Sequence, residues 1–386
     1  MALIITQKPA ELSLAQSPII FTVAETTSGS LFSSSFQYVG ELSYSTFESP
    51  SITGDTIYTI VKYPNASNVG IFDLNRIINS LFTQPAEIIT SSVYSYRVDF
   101  YTQYLSGSTF VTGSHVISSR SLAIDGYSLF PTPIGTNTAS QSVFWPAMTP
   151  GPATQSVLLT NTGELTYWSN VAKGIGSLVY SGSNGSNSVY TKPGGWGEPI
   201  IRRPTYPAEP FFPISRTNLE WYTIQPRDVI GNPFGQPIRY NVVCPSKYPN
   251  VRIKWKNQFG QFDFFNFNMV NKQSFTTEKK TYQPQLGSWN ASTLTYQNYD
   301  SSTLNYVVDA KQSISVNTDW VDEDYNEIFK QLLVTDEAYW IYNEAQDLLR
   351  PITINTSTIV FKTGVVDKVI QYAFDFNFGQ QYKLII

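Results

Sequence analysis

Few residues in this chain could carry covalent or acid–base chemistry. Among 386 residues there is one histidine, His115, and one cysteine, Cys244. Catalytic centres usually draw on such groups, or on carboxylates whose pKa values are shifted. A Ser-His-Asp arrangement could use only His115. It sits in Thr112-Gly113-Ser114-His115-Val116, a strand or hairpin where a plain surface or core role is expected. The chain has no Cys-x-x-Cys and no His-Glu-x-x-His, so zinc sites of the usual N/S kind lack ligands. It has no Gly-Lys-Ser/Thr phosphate loop, no G-x-G-x-x-G opening a helix, and no Asp-rich calcium loop. Cys244 can form no internal disulfide and is expected to be a small buried hydrophobe.

Two carboxylates would suffice for a glycosidase. The candidates Asp322, Glu323, Asp324 and Glu327 crowd the start of a helix, where the dipole and solvation account for them. Asp55, Asp99, Asp125 and Asp263 stand beside aromatics, which suits sugar binding and ordinary strand ends equally. No catalytic residue, cofactor or metal is assigned, and the chain is not expected to be an enzyme.

The elements that would position any site are mostly strands. Residues 1–124 read as a β-sandwich-like domain, with β-branched and aromatic runs at 18–23, 36–46, 58–61 and 96–104 punctuated by Ser, Gly, Asn and Pro. One helix interrupts them. Leu74, Ile77, Ile78, Leu81 and Phe82 form an apolar stripe, with Asp73 as N-cap and Pro85 as stop. Residues 125–234 are rich in Pro, Gly and aromatics with little periodicity. They predict an extended connecting arm or a small insertion domain. Residues 235–386 read as a second β domain. Val251, Ile253 and Trp255 alternate there with Arg252, Lys254 and Lys256, and Asn257-Gln258-Phe259-Gly260 turns the chain into Phe262–Phe267. A second helix, Asp319 to about Leu333, shows Val321, Tyr325, Ile328, Phe329 and Leu332 on one face. The fold class is therefore mainly β: two sandwich-like domains, each with one short amphipathic helix, joined by the middle segment.

Aromatic residues make up 15% of the chain and charged residues 14%. Interfaces favour Tyr, Trp and Phe, so this balance points to packing and assembly. With 25 basic and 29 acidic residues the formal charge is −4, which argues against general nucleic-acid binding. No run of 18 apolar residues occurs, and the first residues lack the pattern of a secretory signal, so no membrane partner is expected. Candidate interface residues are Arg252, Lys254 and Lys256, read as the solvated face of their strand, together with Trp145, Trp168 and Trp196.

Three segments carry a resemblance. They are Gln7-Lys8-Pro9-Ala10-Glu11-Leu12-Ser13-Leu14 leading to Pro18-Ile19-Ile20-Phe21, Gly70-Ile71-Phe72-Asp73-Leu74-Asn75-Arg76-Ile77-Ile78, and Lys247 to Phe267. In their order they resemble structural proteins of tailed bacteriophages, especially phages infecting Bacteroidota. The resemblance covers both β domains loosely, skips the middle, and brings no catalytic residue with it. It implies a virion component made in the cytoplasm of the infected bacterium. Such a component would be a non-enzymatic building block of the tail, collar or baseplate region, with itself and other virion proteins as partners. The alternative is a receptor- or glycan-binding fibre or decoration protein that meets a host-surface glycan.

Overall fold

The computed structural model describes residues 2–9, 11–26, 35–46, 58–82, 93–127, 147–168, 174–191, 200–233, 235–343, 348–361, 370–379 and 382–384. The chain is mainly β and divides into two compact units. The first comprises Met1–Val243 with Trp255–Asp263; the second comprises Cys244–Lys254 with Phe264–Ile386. The described residues contain no helix long and apolar enough to cross a membrane.

The first unit opens with two facing sheets. One has three strands in the order Leu3–Gln7, Ile20–Glu25, Val69–Asp73. The other runs Leu12–Leu14, Ser121–Ile124, Val93–Ser106, Gln37–Thr46, Tyr58–Lys62, with Thr109–Ile117 also paired to Val93–Ser106. Period-two burial explains the packing. Phe21, Val23 and Phe72 from the first sheet meet Tyr38, Leu42, Val98 and Phe100 from the second. Gly70 lies where a Cβ would come within 2.7 Å of the Tyr38 ring, so only glycine fits there. The helix Asn75–Asn79 adds Leu74 and Ile78 to this core. Its N-cap is Leu74, one residue beyond Asp73. Asp73 still holds the turn, because its Oδ1 accepts the N–H groups of Ile19 and Asn75, both at 3.1 Å. Pro85, the expected stop, lies outside the described residues.

The described part of 125–234 is built into sheets of the same unit. A five-stranded sheet runs Thr154–Val157, Ile238–Val242, Trp221–Asp228, Ile175–Gly182, Asn187–Thr191, and Glu164–Trp168 pairs with Ile200–Pro204. Tyr167, Tyr180, Tyr222 and Tyr240 are buried here. For Tyr167, Tyr180 and Tyr240, loss of solvation pushes the phenol pKa above its ordinary value.

The second unit centres on an eight-stranded sheet. Its order is Phe262–Phe267, Val251–Lys256, Ala338–Asn343, Leu348–Ile354, Ala373–Phe378, Leu304–Asn317, Lys272–Tyr282, and Tyr382–Leu384 also pairs with Leu304–Asn317. The helix Asn326–Val334 follows a short 3-10 turn, Glu323–Tyr325, and buries Ile328, Phe329 and Leu332. The Phe329 ring lies 5.0 Å from Phe265 and 5.3 Å from Phe374.

The strand Val251–Lys256 corrects the sequence expectation. It is buried on both faces, so its basic residues form no solvated surface. Strict alternation predicts one wet face, but Phe264, Tyr339 and Asp125 cover the face that carries Arg252, Lys254 and Lys256. Cys244 is a second correction. It is exposed, just past the end of strand Ile238–Val242, and not a buried hydrophobe.

A candidate assembly interface

The three basic candidates are buried against partners inside the protein. Arg252, Lys254 and Lys256 expose 2%, 5% and 8% of their surface. The Arg252 guanidinium stands 4.9 Å from the Phe264 ring centre, and the Lys254 ammonium 5.6 Å from that of Tyr339. Lys256 Nζ lies 2.9 Å from Asp125 Oδ2, while Asp125 Oδ1 accepts from the Gln16 amide. Trp168 is also core, clustered with Leu12, Leu122, Met148, Ile200 and Phe259. Trp145 and Trp196 lie outside the described residues.

The turn that follows these basic residues is the most tightly specified polar site. Asn257 Oδ1 accepts the N–H groups of Phe259 and Gln261, and its Nδ2 donates to the Met148 carbonyl and to Asp263 Oδ2. Gly260 adopts φ +66, and a Cβ there would come within 2.2 Å of the Asp125 carbonyl oxygen. Asp263 is 2% exposed. Loss of solvation pushes its carboxyl up to about 7, against the lowering effect of hydrogen bonds from Thr149 and Asn257.

The remaining chemistry-bearing residues do not converge. His115 is half exposed and pairs with Asp99, Nε2 to Oδ1 at 2.6 Å, on the outer strand Thr109–Ile117. Asp322, Glu323 and Asp324 are exposed at the 3-10 turn that precedes the second helix, and Glu327 bridges Lys330 at 3.0 Å. Asp55 lies outside the described residues.

The surface that stands out is one the sequence reading misses. Strand Lys272–Tyr282 is exposed at all eleven positions and pairs antiparallel with Leu304–Asn317, from Lys272↔Ser315 to Tyr282↔Leu304. Past the ends of this ribbon, Ser288–Trp289 pairs with Leu294–Thr295 in a small hairpin. Asn290 Oδ1 closes its turn by accepting the N–H groups of Ser292 and Thr293. The side chains of Tyr282, Leu286, Trp289, Leu294, Tyr296, Tyr299, Leu304 and Tyr306 are all exposed, Tyr299 at 84%. An open cleft of about 410 Å³ lies at the base of the small hairpin, lined by polar residues including Gln285, Ser288, Thr295, Gln297 and Asp300. A signal is present in the sequence: 272–306 is an aromatic-rich stretch with no apolar stripe of either period. An exposed ribbon reads that way.

No family model and no curated protein matches the chain. Among solved structures, the crystal structure of Salmonella alpha-2-macroglobulin mutant Y1175G is similar at 8% identity and a TM-score of 0.17, over 100% of this chain and 34% of that one. A likeness of that size carries no argument about fold or function.

Proposed function

We propose that this chain is a non-enzymatic structural building block of a tailed phage particle, in the tail, collar or baseplate region, acting through multi-copy assembly. The observation that carries the assembly reading is the ribbon 272–306, where nine large apolar side chains, Phe275 among them, stand in solvent. Contiguous exposed apolar surface on a folded protein usually marks an interaction site. The phage setting is supported by the resemblance of the three segments around Leu12, Asp73 and Asn257. In the structure these are core, capping and turn positions.

The test is light scattering and mass photometry of the whole chain and of a variant in which 284–303 is replaced by a two-residue Asn-Gly turn. Every residue from 284 to 303 is exposed or partly exposed, so the excision should leave thermal stability unchanged. The parent should form discrete oligomers, and the excised variant, which keeps strand Lys272–Tyr282 but loses five exposed apolar side chains, should associate more weakly. A parent that stays monomeric at all concentrations would refute assembly by this chain alone.

A second reading rests on the cleft. Its amide, hydroxyl and carboxylate lining beside exposed aromatics suits a saccharide, as a glycan-binding decoration protein would need. Glycan-array binding that disappears in Asp300→Ala would favour it.

A further inference from the structure

We infer that strand Lys272–Tyr282 is a self-pairing edge: two copies of the chain join it to itself, antiparallel, about a two-fold axis at Thr277. The inference deepens the assembly reading above and rests on it. Among the described residues the strand is the last of its sheet and pairs with one strand, Leu304–Asn317. An exposed edge strand is a template for another strand, and a symmetric dimer uses the same patch on both copies.

Strand length and charge together select the register. A two-fold through the sheet places residue i opposite residue j with i + j constant. Side chains directly opposite each other share a face, so the axis must pass through a residue. An axis at Thr276 sets Lys272 against Lys280. Axes at Glu278, Lys279 or Lys280 set like charges against themselves. An axis at Phe275, or nearer the strand start, leaves the end of the strand unused, and one at Thr281 or Tyr282 leaves its start unused. Only the axis at Thr277 pairs all eleven residues with no like charges directly opposed: Thr276 meets Glu278, Phe275 meets Lys279, Ser274 meets Lys280 and Lys272 meets Tyr282. In this register the lysines that would guard a generic edge oppose no like charge directly.

Single cysteines in a Cys244→Ser background test the geometry, since Cys244 is exposed and would react. Cβ atoms directly opposite lie about 4.5–5.5 Å apart, so Thr277→Cys should give a covalent dimer on oxidation or with a short bis-thiol reagent. Gln273→Cys, on the same face, would stand about 27 Å from its own copy and should give none. Charge provides the second arm. Thr276→Glu opposes Glu278 at two symmetric places and should weaken self-association roughly threefold to thirtyfold, and adding Glu278→Lys should restore it. If the parent oligomerises while Thr277→Cys fails to cross-link, or Gln273→Cys cross-links equally, the edge inference falls and the assembly reading stands. If the parent is monomeric throughout, both fall.

Discussion

A carboxylic acid sealed from water holds its proton, and Asp263 is the residue here where that matters most. Its carboxyl is raised from an ordinary 3.8 to about 7 by burial. A raised carboxyl favours the fold while it is protonated. That stability is fully present below about pH 4 and is lost as pH rises through about 7, an effect on the order of 4 kcal/mol. Asp263→Asn keeps the acceptor for the Asn257 amide but removes the titration. The melting temperature of the parent should therefore fall between pH 4 and pH 7, while that of the variant stays level and is higher at pH 8. Parallel profiles would show that Asp263 is solvated. The neighbouring Lys256 obeys the converse rule. Lys256→Met leaves the Asp125 carboxylate nearly buried without its cation, and should cost about 3 kcal/mol in urea unfolding. A cost below about 0.5 kcal/mol would mean that the pair contributes nothing.

At the scale of elements, period decides what can be read. Of the stripe Leu74, Ile77, Ile78, Leu81 and Phe82, all but Leu81 pack on the N-terminal core, although the helix itself ends at Asn79. Substituting Ile78→Asp puts an unpaired charge at a site with no exposed surface, and should lower stability by several kcal/mol or open the helix locally. Asn79→Asp, on an exposed position, should melt with the parent. Equal melting of the two variants would mean that the wrong face has been assigned to the core. The same logic misleads at Val251–Lys256. Alternation there is genuine, but alternation distinguishes two faces without saying what covers each. The partners that its cations meet, Asp125, Phe264 and Tyr339, are set by tertiary contacts that no local pattern encodes. The strands of the five-stranded sheet are hidden in the same way. Thr154–Val157 pairs parallel with Arg239–Val242 across more than eighty residues of chain.

At the scale of the whole molecule, burial redistributes charge. The formal net charge is −4. Arg252, Lys254 and Lys256 are inside, where Lys256 pairs with the nearly buried Asp125 and Asp263 holds its proton, so what remains outside is more acidic than that figure suggests. Were the three cations the solvated interface that alternation predicts, they would seek an acidic neighbour, and salt near 0.5 M would weaken assembly by screening it. The structure reverses the sign. Two acidic bodies repel as they approach. The edge Lys272–Tyr282 is itself locally basic, with Lys272, Lys279 and Lys280 against Glu278, so two copies of it repel as well. Neither repulsion is offset by an ion pair directly across the proposed register. Salt shortens the Debye length from roughly 10 Å at 0.1 M to about 4 Å at 0.5 M, which removes both penalties and leaves the apolar and backbone contacts of the ribbon intact. Sedimentation velocity at 0.05, 0.15 and 0.5 M NaCl should therefore show self-association tightening with salt. Loss of oligomers at 0.5 M would instead require attractive charge pairs between copies, and would send the search for the interface back to acidic and basic patches away from the ribbon.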